Sequence, residues 1–129
     1  MPHIILEHNI DLTQKETIDF LQDLNIFLSD SEEGKFNLED CKARAIYHPD
    51  AVIGSGNKQF FHINIKILEG RSQSLRKALA QGISEKAKVF LSSHPNQIDI
   101  TVIIEEMEKE VYQKSSISGL SQTENRSIF

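Results

Sequence analysis

Alternating apolar residues, then apolar residues at helical spacing, then alternation again: this order occurs twice along the 129-residue chain, and it limits the possible folds more than any other feature. The first segment, 2–8, places Ile4 and Leu6 on one strand face and His3, Ile5 and Glu7 on the other. Thr13-Gln14-Lys15-Glu16 fits a capping box, in which hydroxyl and carboxylate each satisfy an orphan backbone amide. Beyond it Phe20, Leu21, Leu24, Phe27 and Leu28 recur at helical spacing and predict a helix over 14–29. A weaker strand is predicted over 39–48, where Cys41, Ala43, Ala45 and Tyr47 alternate with Lys42, Arg44 and Ile46.

The stretch from Pro49 to Lys58 collects Pro, Gly, Ser and Asn and breaks the chain in two. After it Phe61, Ile63, Ile65 and Ile67 share one face of a strand, and Leu75, Leu79, Ile83, Ala87 and Leu91 define a helix over about 73–92. A last strand over 98–105 is apolar on both faces, with Ile98, Ile100, Val102 and Ile104 on one and Ile103 on the other. Two βαβ units therefore follow each other, over about 1–50 and 59–107. A right-handed crossover makes the strands within each unit parallel. The expectation is an α/β (α+β) protein, one domain over 1–129, with a four-stranded sheet and both helices on one face.

Helices cover only one side of such a sheet. The apolar second face of the last strand therefore calls for burial by another copy of the chain. The Ser/Gln/Asn-rich tail from about 112, with isolated Ile117, Leu120, Ile128 and Phe129, fits two descriptions: a disordered end, or an arm on a neighbouring subunit.

A net charge of −5 spread along the chain argues against a nucleic-acid partner, but leaves room for a small anionic substrate held by a few local cations. Cys41 is the one cysteine, no signal-peptide pattern opens the chain, and no apolar run approaches membrane-spanning length. A cytoplasmic protein without membrane contact is expected. The five histidines and Cys41 show no metal-ligand spacing and no phosphate loop is present, so neither metal nor cofactor is expected.

Pro2 is the sharpest chemical feature. Removal of Met1 would leave a secondary amine at the head of a rigid strand. Apolar and cationic neighbours would bring its pKa toward neutrality, where it would serve as a general base. A Met-Pro start also occurs without any catalytic part. Arg71, in Gly70-Arg71-Ser72 ahead of the second helix, suits a carboxylate at a helix N-terminus and equally suits a surface pair with a glutamate. Lys42 and Arg44 project from one side of their strand, toward an anion or toward solvent.

With these residues in hand, the chain resembles the 5-carboxymethyl-2-hydroxymuconate Δ-isomerases of the tautomerase superfamily. The resemblance rests on Met1-Pro2-His3-Ile4-Ile5-Leu6-Glu7, on Lys42-Ala43-Arg44, on the run from Phe61 to Ser72, and on Ile103-Ile104-Glu105-Glu106. It covers most of residues 1–110. It implies a tautomerase fold, a homotrimer, and Pro2 as the base that moves a proton between the 2-hydroxyl and C5 of an unsaturated keto-acid. By position, Arg71 and the Lys42/Arg44 pair would hold the carboxylates. The chain departs from the family pattern at Lys42, where an arginine is expected, and lysine lacks the bidentate fork.

The resulting expectation is a trimeric isomerase catalysing a 1,3-allylic keto–enol shift on a hydroxymuconate-like acid in aromatic-compound breakdown. Pro2 and Arg71 would be catalytic, Lys42 or Arg44 would bind carboxylate, and Phe36 or Phe61 would form apolar walls. The alternative is a protein of the same fold that binds a small ligand without turning it over.

Overall fold

The computed structural model describes residues 1–119. Strand β1 (His3–His8) leads to helix α1 (Gln14–Ser29) and strand β2 (Lys42–Tyr47); strand β3 (Gln59–Leu68), helix α2 (Gln73–Phe90) and strand β4 (Ile98–Met107) repeat the unit. The four strands form one sheet in the order β2-β1-β3-β4. Within each unit the strands are parallel, as expected, and the units join through antiparallel pairing of β1 with β3.

Local chemistry fixes the helix starts. The Thr13 hydroxyl accepts from the Glu16 amide at 3.1 Å while the Glu16 carboxylate accepts from the Thr13 amide at 3.4 Å, so the capping box forms. Ser72 caps α2 by accepting from the Leu75 amide at 3.1 Å. Strand β2 begins later than the alternation suggested, because Leu38–Asp40 closes into a 3-10 turn capped by Asn37. Strand β4 runs two residues further than expected, to Met107.

The core lies between the sheet and its helices. Ile4 and Leu6 of β1 and Phe61, Ile63, Ile65 and Ile67 of β3 are fully buried against Leu24 and Leu28 of α1 and Ile83 and Ala87 of α2. Each of the larger side chains, Ala87 apart, contributes about 1.5–3 kcal/mol when removed from water. The helices approach closely at Gly82, where a Cβ would overlap the Phe27 ring. Ile98, Ile100, Val102 and Ile104 pack partly buried on this core, while Ile103 stays 44% exposed on the open sheet face. Of the tail residues singled out in the sequence, Ile117 is exposed, and Leu120, Ile128 and Phe129 lie outside the described residues.

The strand order has one consequence for function. His3 pairs with Lys42 on one side and Lys66 on the other, and Leu68 pairs with Met107. The starts of β1 and β2 and the ends of β3 and β4 thus meet at one end of the sheet.

Candidate active site

Pro2 is held at that end by its neighbours. It is buried, and its carbonyl accepts from the Lys42 amide at 3.0 Å, which extends the β1–β2 pairing by one step. The Met1 amine before it donates to the Asp40 carbonyl at 3.1 Å, and the Lys42 ammonium donates to the same carbonyl at 2.9 Å. Two cationic groups therefore crowd one acceptor. The Met1 amine is held below the ordinary 8.0 of a chain terminus, first by burial and then by Lys42; Lys114 adds to the effect and Asp40 opposes it.

A cavity of about 350 Å³ opens beside Met1, between Leu68 and Phe36. Arg71, Lys35 and Lys114 also reach it, so its rim is mainly cationic, with Asp40 paired to Lys114 at 2.8 Å. The Met1 sulfur lies 3.3 Å from the Leu68 amide, so the initiator side chain forms part of the cavity wall.

Arg71 enters from the turn between β3 and α2, where Gly70 adopts a φ of 117° that favours glycine. Its Nε and one terminal nitrogen donate to the Gly34 carbonyl at 3.1 and 2.8 Å, and the other donates to the Leu68 carbonyl at 3.3 Å. Among the described residues it has no carboxylate partner, and burial lowers its pKa. Five N–H groups less three leave two for a ligand. Phe36, 6% exposed, lies beneath the guanidinium as one wall of the cavity.

Lys42 and Arg44 do project from one side of β2, toward the open sheet face. Lys42 stands beside the amine, whereas Arg44 lies a step further along, its NH1 3.2 Å from His3 Nδ1. Phe61 needs correction. It is fully buried beside Phe20 and Phe90, opposite His8 at the end of β1 far from Pro2. It shares a face with Ile63 and Ile65, and that face is the core.

No motif or periodicity points to Tyr112 and Lys114. Both reach the cavity because the chain turns back after β4, with Glu69 accepting from the Lys109 amide at 2.8 Å. Their partners, His3 and Asp40, are 109 and 74 residues away. A larger depression, about 550 Å³, runs between α1 and β2 past Ile18, Ala45 and Tyr47, apart from the Pro2 end. Among the described residues no set of three or more His, Cys, Asp or Glu side chains could hold a metal, and no helix is long and apolar enough to cross a membrane.

A family model described as 5-carboxymethyl-2-hydroxymuconate isomerase matches residues 2–119. No curated protein matches the sequence significantly. Among solved structures, a 5-carboxymethyl-2-hydroxymuconate isomerase from Deinococcus radiodurans superposes with a TM-score of 0.79 at 20% identity, covering 90% of each chain. A macrophage migration inhibitory factor-like protein from Entamoeba histolytica gives a TM-score of 0.63 at 20% identity, over 88% of this chain and 95% of that one. A fused wild-type 4-OT asymmetric trimer gives 0.71 at 16% identity, over 89% and 94%. At these identities the structural likeness establishes the tautomerase fold.

Proposed function

The chain belongs to the 5-carboxymethyl-2-hydroxymuconate isomerase family, and from that premise we propose an isomerase in which Pro2, uncapped by loss of Met1, is the general base of a keto–enol shift. The Pro2 nitrogen takes the 2-hydroxyl proton of an unsaturated hydroxymuconate-like acid. The dienolate then regains a proton at C5 from the prolinium, so the reaction is a net isomerisation. The observation that carries this reading is the position of Pro2, buried at the head of β1 and next to Met1 at the edge of a cavity rimmed by Lys35, Arg71 and Lys114. Burial and nearby cations disfavour a charged amine at this end of the sheet, and the same cations stabilise both the substrate carboxylates and the charge that develops on the dienolate.

Arg71, with two N–H groups to spare, and Lys42, beside the amine, serve the carboxylates; Phe36 supplies an apolar wall. Arg44, one step further along β2, is the second candidate for a carboxylate. The partly exposed Ile103 and Ile46 on the open face, and the trimer named in the 4-OT structure, support a homotrimer closed over that face. Cys41 is free, and the chain fits a cytoplasmic enzyme of aromatic-compound breakdown.

Intact mass of the purified protein, followed by ketonisation of 2-hydroxymuconate by wild type and Pro2→Ala, tests the reading. We expect loss of Met1 and a rate lowered by orders of magnitude in the variant. A wild-type rate in Pro2→Ala sinks it. One observation favours a second reading, a ligand-binding protein without turnover: Met1 forms part of the cavity wall, and while it is retained the Pro2 nitrogen is an amide with no basicity.

A further inference from the structure

Three side chains from three segments form a line beside the proposed base. Arg44 NH1 lies 3.2 Å from His3 Nδ1, and His3 Nε2 lies 2.9 Å from the Tyr112 hydroxyl. The His3 and Tyr112 rings meet edge to face, with centroids 5.8 Å apart and planes at 74°. Tyr112 also lines the cavity with Met1, Phe36 and Arg71.

The direction of these hydrogen bonds follows from the donor inventory. Arginine has only donors, so His3 Nδ1 accepts. A neutral imidazole that accepts at Nδ1 carries its proton at Nε2, and it donates that proton to the Tyr112 oxygen. The phenol is then an acceptor toward His3, and its own proton is left for another partner. His3 is kept neutral by burial first and then by Arg44, the terminal amine, Lys42 and Lys66, which all lower its pKa.

We propose that Tyr112 donates a hydrogen bond to the substrate oxygen that gains charge when the enol proton is removed, and that His3, held by Arg44, is the residue that orients it. The proposal rests on Pro2 acting as the base. No proton changes hands at Tyr112: the phenol donates a hydrogen bond to the dienolate oxygen and withdraws as the ketone forms. A donor already aimed at the developing charge lowers the barrier without having to reorganise. His3 touches no substrate and acts only through the phenol.

The test compares Tyr112→Phe, His3→Ala and His3→Gln with wild type in the processed full chain, on 2-hydroxymuconate. Tyr112→Phe removes one oxygen and should lower kcat about 100-fold, the loss typical of one oxyanion donor, with KM little changed. The acid limb of the kcat/KM profile should stay where wild type has it, because the base is untouched. His3→Ala should lose most of the same factor. His3→Gln should regain it, since the amide oxygen can accept from Arg44 while its NH₂ donates to Tyr112. Wild-type kcat in Tyr112→Phe overturns the proposal, and so does a rise in KM alone, which would make the ring a binding wall. Pro2→Ala is assayed alongside. A wild-type rate there removes the base and the Tyr112 role together, whereas an inactive Pro2→Ala beside an unimpaired Tyr112→Phe removes the Tyr112 role alone.

Discussion

The Arg71 guanidinium lies 4.4 Å from the centre of the Phe36 ring, and two of its nitrogens hold the carbonyl of Gly34, two residues before that ring. One side chain therefore fixes the loop that walls the cavity and also presents charge to it. Arg71→Ala should lower stability by about 2 kcal/mol, the scale of lost charge-assisted hydrogen bonds, and should raise KM as the loop loosens. Arg71→Lys should recover little of either, because an ammonium cannot reproduce the fork. Urea unfolding and steady-state kinetics read the two effects. An Arg71→Lys protein equal to wild type in both would show that charge alone suffices.

Lys42 ranks second only to burial in depressing the Met1 amine, and on the proposed reading its charge acts in the same direction on the Pro2 amine once Met1 is removed. Lys42→Gln removes that cation, so the amine pKa rises. Protonated amine then persists to higher pH, and the acid limb of kcat/KM should move to higher pH with a lower rate at neutrality. Well above the limb the two proteins should converge, apart from any loss in substrate binding. A limb that stays in place would separate Lys42 from the amine.

His8 is 4% exposed, accepts from the Ile10 amide at 3.0 Å, and has a pKa lowered from 6.5, by burial first and His48 second. A histidine with a lower pKa folded than unfolded binds fewer protons when folded, so unfolding takes up a proton in that window. Its full stability is present above pH 6.5 and declines as pH falls toward the folded-state value. His8→Gln keeps an acceptor for Ile10 and should flatten that decline. Thermal melts at a series of pH values compare the two slopes, and an unchanged slope would exclude His8 as the source.

At Gly82 an added methyl meets the Phe27 ring. Gly82→Ala should cost about 1–3 kcal/mol despite alanine's better helix propensity, and pairing it with Phe27→Leu should return most of that loss. If the single variant is more stable than wild type, the helices have room to separate.

Phe61 and Phe36 test the corrected placement of the aromatic residues. Phe61→Ala should destabilise by about 3–5 kcal/mol through a core cavity. Phe36→Leu should spare most of the stability and act on KM. Equal stability losses in the two would argue that Phe36 is also purely core.

Much of the architecture was legible because period and caps are local. Thr13 and Glu16 marked the start of α1, and the face shared by Phe61, Ile63, Ile65 and Ile67 marked β3 and the core. That shared face already carried the signal that Phe61 points inward, away from any substrate. The order of the strands was not legible, since no local pattern says whether β1 or β2 of the first unit lies beside β3. The site was legible only in part. Pro2, Lys42 and Arg71 stand where turns and strand ends announced them, but Tyr112 and Lys114 sit in a segment without periodicity, and only the turn after β4 brings them to His3 and Asp40.

Because β1 is an interior strand, paired on both sides, the first residues of this chain are as tightly framed as its middle. An affinity tag fused ahead of Met1 would start at the edge of the cavity, beside Asp40, and would keep the Pro2 nitrogen an amide. Preparations meant for assay should carry their tag at the other end, or have it cleaved so that proline becomes the first residue.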